Sequence, residues 1–313
     1  MSWKDTVNGA LRRTGYELRR ANAAPPGVGK PRSRKVRPGD RLLEQPGFVM
    51  CTLRSGSTLL RVLLNSHSQI HCPHEIHLRY LSVGLDAKWV ERSMKEMGLD
   101  QEKLEYLLWD RVLQRELTGS GKPRLVTKTP NDVFIADRIK TAWPDAKLIF
   151  LLRHPAAILR SRSDYQGEDA DPEKNVALIR RYCEALEAAR QKYDGVTIRY
   201  EDLTADPETT LRPVCEHLGV PFEPGMLEYG QQDHGRFKLG LGDWNDKIKS
   251  GRIQAPAPPP EEIPEPLRPC GAAAAGDQRE RAEDGAVQRD RGRAEQAAPA
   301  GLPSQGVAAG CGR

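Results

Sequence analysis

Gly47-Phe-Val-Met-Cys-Thr52-Leu-Arg54-Ser-Gly-Ser-Thr58 is the stretch on which the fold turns. Gly47 to Thr52 is an apolar run of strand length, and Arg54 to Thr58 is a polar turn. From Thr58 to Ser66, apolar residues recur at Leu59, Val62 and Leu63, the spacing of one helix face. The order is strand, small-residue loop, helix. The first N–H groups of a helix have no partner within it, so such a loop forms a cradle for an anion. Ser57 and Thr58 add hydroxyl donors, and Arg54 adds a fixed charge. This is not the nucleotide-triphosphate loop GxxxxGK[ST], because its leading glycine and its lysine are missing.

Working outward, the same alternation continues. Arg124 to Lys128, Lys147 to Leu152 and Val196 to Tyr200 read as further strands. Two helices are expected within residues 86–118, one from Asn175 to Tyr193, and one from Pro207 to Leu218 with Gly219 past its end. Asp132 is placed to cap a helix running toward Trp143. Strands alternating with helices imply an α/β fold with a parallel sheet covered on both faces. Ligands bind beyond the carboxyl ends of such strands, so the polar segments after the first three converge on one crevice.

Composition bounds the rest. The chain has 313 residues, 38% hydrophobic and 29% charged, as in a globular protein with unstructured ends. Its longest apolar run, Leu148 to Leu152, is far below the roughly 20 residues that cross a bilayer. The N-terminus lacks the apolar core of a signal peptide, which points to the cytoplasm. The six cysteines contain no CxxC pair, against a disulfide framework or a cysteine zinc site. Residues 1–41 carry +8 of a total +5, leaving the rest at −3. This basic arm and linker would contact an anionic membrane surface or simply be solvated. Its scarcity of aromatic residues argues against nucleic acid. The ordered body is expected over residues 42–250. Beyond Trp244 there is no aromatic residue, and beyond Lys249 no lysine. Residues 251–313 therefore read as a low-complexity tail, either natural or translated in a shifted frame.

A second cluster of polar residues follows the third strand, in Leu151-Leu-Arg-His-Pro-Ala-Ala-Ile-Leu-Arg-Ser161. A helix restarted by Pro155 carries Ser161 two turns in, where it faces the same anion as Arg153. Together the two segments resemble the cofactor signatures of the sulfotransferase family. Arg54, Ser55, Gly56, Ser57 and Thr58 are similar to the 5′-phosphosulfate loop, and Arg153 with Ser161 to the 3′-phosphate motif. Arg199-Tyr-Glu-Asp-Leu203 and the Gly242-Asp-Trp244 segment resemble two further family segments in the same order.

The resemblance covers roughly residues 45–250 and is nearest to soluble bacterial members and to the carbohydrate and tyrosyl-protein sulfotransferases. It implies a P-loop-like three-layer sandwich around a central parallel sheet. It also implies sulfuryl transfer from 3′-phosphoadenosine-5′-phosphosulfate, without metal, to a hydroxyl or amine of a carbohydrate, lipid or small-molecule acceptor. Glu75, in Cys72-Pro-His-Glu-Ile-His77, stands where several members have a catalytic glutamate; His74 and His77 are rival bases. Lys128 resembles a lysine that stabilises charge on the transferred group or the leaving oxygen. Lys238 is expected to reach the 3′-phosphate, and Trp244 to stack on adenine. The competing readings are a non-catalytic nucleotide-binding or interaction protein on the same fold, and a kinase-like phosphotransferase.

Overall fold

The computed structural model describes residues 41–232, 234, 246–258, 260 and 262–270. Five strands form one parallel sheet: β1 (Gly47–Cys51), β2 (Ile70–His71), β3 (Arg124–Lys128), β4 (Lys147–Leu152) and β5 (Gly195–Arg199). Their order is β2-β3-β1-β4-β5. β1 sits at the centre, with Phe48 opposite Thr127 of β3 and Leu148 of β4. The two-residue β2 was not anticipated, being too short to show a period. β5 begins one residue earlier than the sequence suggested.

Alternation along the strands builds two core layers. Phe48, Met50, Leu148 and Phe150 pack with Trp109, Trp143 and Tyr182. Val49, Cys51, Ile149 and Leu151 pack with Leu60, Leu63 and Val214. The first layer is closed by α3 (Gln101–Ser120), α4 (Ala136–Ala142) and α6 (Pro172–Lys192). The second is closed by α1 (Ser57–Ser66), α7 (Tyr200–Ala205) and α8 (Pro207–Leu218). The expected three-layer α/β sandwich is what the chain forms. The remaining described α-helices are α2 (Lys88–Glu96), α5 (Pro155–Gln166) and the short α9 (Asp246–Lys249). No described helix is long and apolar enough to cross a membrane.

Local chemistry explains the boundaries. Asp100, Asp171 and Asp206 each accept a backbone N–H at the start of α3, α6 and α8, at 2.9, 3.1 and 3.2 Å. Gly219 ends α8 at φ 72°, a left-handed conformation that glycine adopts without a Cβ clash. Near the first described residues, the buried Asp110 accepts the amides of Leu42 and Leu43 and the indole N–H of Trp143. Asp132 does not cap a helix. Pro130–Ile135 is a 3-10 turn, α4 starts only at Ala136, and Asp132 lies buried inside the turn. Within the stretch read as tail, Leu267 is fully buried against Ile158 and Ile179. Ile263 and Leu267 are apolar residues that the low-complexity composition conceals. The basic N-terminal arm lies outside the described residues.

One lysine ties the start of the fold together. Lys122 Nζ donates to the carbonyls of Asn65, His67 and Ile70, at 2.7, 2.9 and 2.9 Å. The first two are orphan acceptors at the end of α1, and the third lies on β2. Lys122→Met should lower the unfolding free energy by about 2 kcal/mol, the scale of a charge-assisted hydrogen bond lost from a partly buried site. Urea titration of both proteins checks this; equal midpoints would mean that the carbonyls find other partners.

Candidate active site

The loop from Thr52 to Gly56 joins the end of β1 to the start of α1. Arg54 and Gly56 both have left-handed backbones, at φ 56° and 83°. Ser55 between them is fully buried, and its hydroxyl donates to Thr52 O at 2.8 Å. Gly56 is the N-cap of α1, and its carbonyl accepts the amides of Leu59 and Leu60. Successive amides in such a turn form an anion-binding concavity continuous with the helix N-terminus.

Gly56 is required by contact as well as by conformation. A Cβ at this position would lie 2.1 Å from Cδ2 of Tyr200. The guanidinium of Arg153 stacks over the same ring at 4.3 Å. Arg153 Nη1 donates to Arg54 O at 2.7 Å, and Arg54 Nε donates to Ser161 Oγ at 3.2 Å. Arg54, Arg153 and Ser161, far apart in sequence, thus meet beside the loop. Burial lowers the proton affinity of Arg153, but a guanidinium stays charged at any ordinary pH. Its buried Nε has no hydrogen-bond partner, so a donor remains for an incoming anion.

Lys128 ends β3 beneath the loop and is almost fully buried. It forms an ion pair with Glu75 and donates to Thr58 Oγ1 at 3.3 Å. His77 Nε2 lies 3.7 Å from the other carboxylate oxygen of Glu75. His77 and Arg54 are the two non-glycine residues with positive φ among those described, and both lie here. Such backbone outliers concentrate at functional sites. The exposed His74 bonds only the backbone carbonyl of Glu75, so His77 is the histidine that meets the carboxylate. The other two histidines of the cluster diverge. His67 bonds Pro221 O, and His71 bonds Glu116. Among the described residues, no three His, Cys, Asp or Glu side chains are grouped to hold a metal ion. Lys238 and Trp244 lie outside the described residues.

Sequence reasoning missed two contributors. Tyr200, read from the sequence as the end of a strand, is the surface on which Gly56 and Arg153 rest. Asp132 is fully buried, with Oδ1 lacking a hydrogen-bond partner. Burial first, and then the charge of Glu75, push its carboxyl up to about 8, with Lys128 acting in the opposite direction. Burial also pushes the Cys51 thiol at the end of β1 up to about 11, so it stays protonated under the loop.

The sign of the Asp132 effect follows from linkage. The folded carboxyl holds its proton more tightly than the unfolded one, whose ordinary value is 3.8. Its contribution is complete below that value and is lost as pH rises toward about 8. Wild-type stability should therefore fall between pH 5 and pH 8, and Asp132→Asn should flatten that part of the curve. Urea unfolding at both pH values decides it; parallel curves for the two proteins would refute the assignment.

The model of the sulfotransferase family matches residues 46–224, more than half of the chain. Protein-tyrosine sulfotransferase A of Caenorhabditis elegans is 23% identical over 199 residues, 59% of this chain and 52% of that protein. Protein-tyrosine sulfotransferase 1 of Danio rerio is 25% identical over 200 residues, 58% and 55% of the two chains. The chain thus spans about half the length of these curated relatives. Among solved structures, the sulfotransferase domain of the Synechococcus PCC 7002 olefin synthase superposes with a TM-score of 0.56. It is 21% identical, and the match covers 77% of this chain and 98% of that domain.

Proposed function

The chain belongs to the sulfotransferase family, and from that premise we propose that it moves a sulfuryl group from 3′-phosphoadenosine-5′-phosphosulfate to a hydroxyl or amine of an acceptor. The observation that carries the reading is the meeting of Arg54, Arg153 and Ser161 beside a left-handed loop at a helix N-terminus. The fit to the donor rests on two features. The cradle has no room for a side chain at Gly56, and a buried donor of Arg153 has no partner. Arg54, Ser55, Gly56, Ser57 and Thr58 would hold the phosphosulfate, and Arg153 with Ser161 the 3′-phosphate. Lys238 and Trp244 would complete the nucleotide clamp.

The donor supplies an activated sulfuryl group. Glu75 takes the proton of the acceptor as its oxygen or nitrogen attacks sulfur. Lys128 and Arg54 hold the negative charge that grows on the transferred group and on the leaving oxygen. Both cations sit at the cradle before reaction, so little reorganisation is needed. Acceptor choice would fall to residues 76–122, and the acceptor would be a carbohydrate, a lipid or a small molecule. The basic arm would bring the protein to an anionic membrane surface.

Calorimetric titration with adenosine 3′,5′-bisphosphate, against adenosine 5′-monophosphate as control, tests the nucleotide site without knowledge of the acceptor. Arg153→Ala should weaken the bisphosphate at least about tenfold, the loss of one charge-assisted contact. It should leave the monophosphate nearly unaffected, and an equal loss for both ligands would remove Arg153 from the 3′-phosphate.

Glu75→Gln separates binding from chemistry. Nucleotide affinity should stay within a few-fold of wild type, while single-turnover transfer to any accepted hydroxyl falls by about 100-fold or more, the scale of general base catalysis. Transfer at the wild-type rate would transfer the role of base to His77.

A further inference from the structure

Against α6, two cysteines from distant parts of the chain share one environment. Cys183 belongs to α6, and Cys270 ends the segment 262–270. Both pack on the apolar cluster of Ile158, Ile179 and Leu267. Both line a cavity of about 310 Å³ that Thr52 and Arg153 also border. Each is partly exposed, whereas Cys51, Cys72 and Cys215 are buried. We propose that Cys183 and Cys270 are a redox-active thiol pair, oxidised to a disulfide that clamps the segment 262–270 onto α6 beside Arg153.

The chemistry of the two thiols is unequal. Each perturbs the ionisation of the other directly: Cys270 becomes the more acidic, and Cys183 keeps its proton. Cys270 is therefore the attacking thiolate. With a low-molecular-weight disulfide such as oxidised glutathione as oxidant, Cys270 Sγ attacks one sulfur and expels one glutathione thiolate. Cys183 then loses its proton, attacks Cys270 Sγ and displaces the second glutathione. The protein thiols lose two electrons, and one glutathione disulfide becomes two thiols. The bond lies just beyond Leu267, which with Ile263 packs the segment on that cluster, and Arg160 Nη2 holds the same chain earlier, through Ala257 O at 3.2 Å. Cross-linking leaves the segment fixed at the cavity, and reduction leaves it held by packing alone.

The full chain, equilibrated in oxidised and reduced glutathione at a series of ratios and quenched with acid, is read by peptide mapping without reduction. The expected result is one linked peptide pair containing Cys183 and Cys270, lighter by two hydrogens, with Cys51, Cys72 and Cys215 still free. Cys183→Ser should stop at a stable mixed disulfide on Cys270, and Cys270→Ser should leave Cys183 unmodified. The oxidised wild type should also resist proteolysis near residue 260 longer than the reduced form. A pairing of either cysteine with Cys311, glutathione on Cys270 with no cross-link in the wild type, or equal reactivity of the two variants would each overturn the proposal. The mapping uses unmutated protein, so a folding defect in a variant does not blunt it. It requires neither donor nor acceptor, so its outcome is independent of the proposed transfer.

Discussion

The missing side chain at position 56 sets the distance between β1's loop and the chain beyond β5. A methyl group there would sit inside the Tyr200 ring. With hydrogen in its place, the ring closes directly on the loop, and Arg153 closes on the ring's other contact at 4.3 Å. Arg153 in turn holds Arg54 O, which fixes the loop's left-handed turn. Three strand ends, those of β1, β4 and β5, are thereby locked to one another by a contact that involves no ion pair. The charged groups gathered around it inherit their positions from that packing.

Beneath the loop, electrostatics rather than packing sets the arrangement. Lys128 carries one positive charge in a nearly dry place, and two carboxylates, Glu75 and Asp132, lie within its influence. Glu75 makes the ion pair with Lys128, whereas Asp132 has no hydrogen-bond partner at Oδ1 and burial favours its protonated form. Glu75 has the direct contact and the greater exposure; Asp132 is sealed and retains its proton at neutral pH.

The framework was legible because it follows rules local to a few residues. Apolar runs and helical stretches located β1, β3, β4 and α6 to within a few residues, and Pro207 and Gly219 marked the ends of α8. β2 escaped because two residues carry no period, and the 3-10 turn at Pro130 escaped because Pro and Asp favour a helix start equally well. Of the site, Arg54, Arg153 and Ser161 were legible as two motifs, and the fold brings them together. The Glu75–Lys128 pair was legible only as two separate expectations, since no spacing rule joins a loop residue to one at the end of a strand. Asp132 was misread, and the contacts of Tyr200 were not visible, for the same reason: their roles depend on what burial brings against them.

For the proposed reaction, the Glu75–Lys128 pair raises a problem that its own geometry answers. A carboxylate held by an ammonium is a poor base, because protonation must break the pair. An anionic donor in the cradle changes the balance, since Lys128 also reaches Thr58 in the first turn of α1. Oxygens of the donor at that turn would compete with Glu75 for the same ammonium. Any movement of the Lys128 ammonium toward them would loosen its contact with the Glu75 carboxylate. The carboxylate would thus be freed for the acceptor when the donor is present and held by the lysine when it is absent. In that arrangement, one lysine couples donor occupancy to acceptor activation without any movement of the backbone.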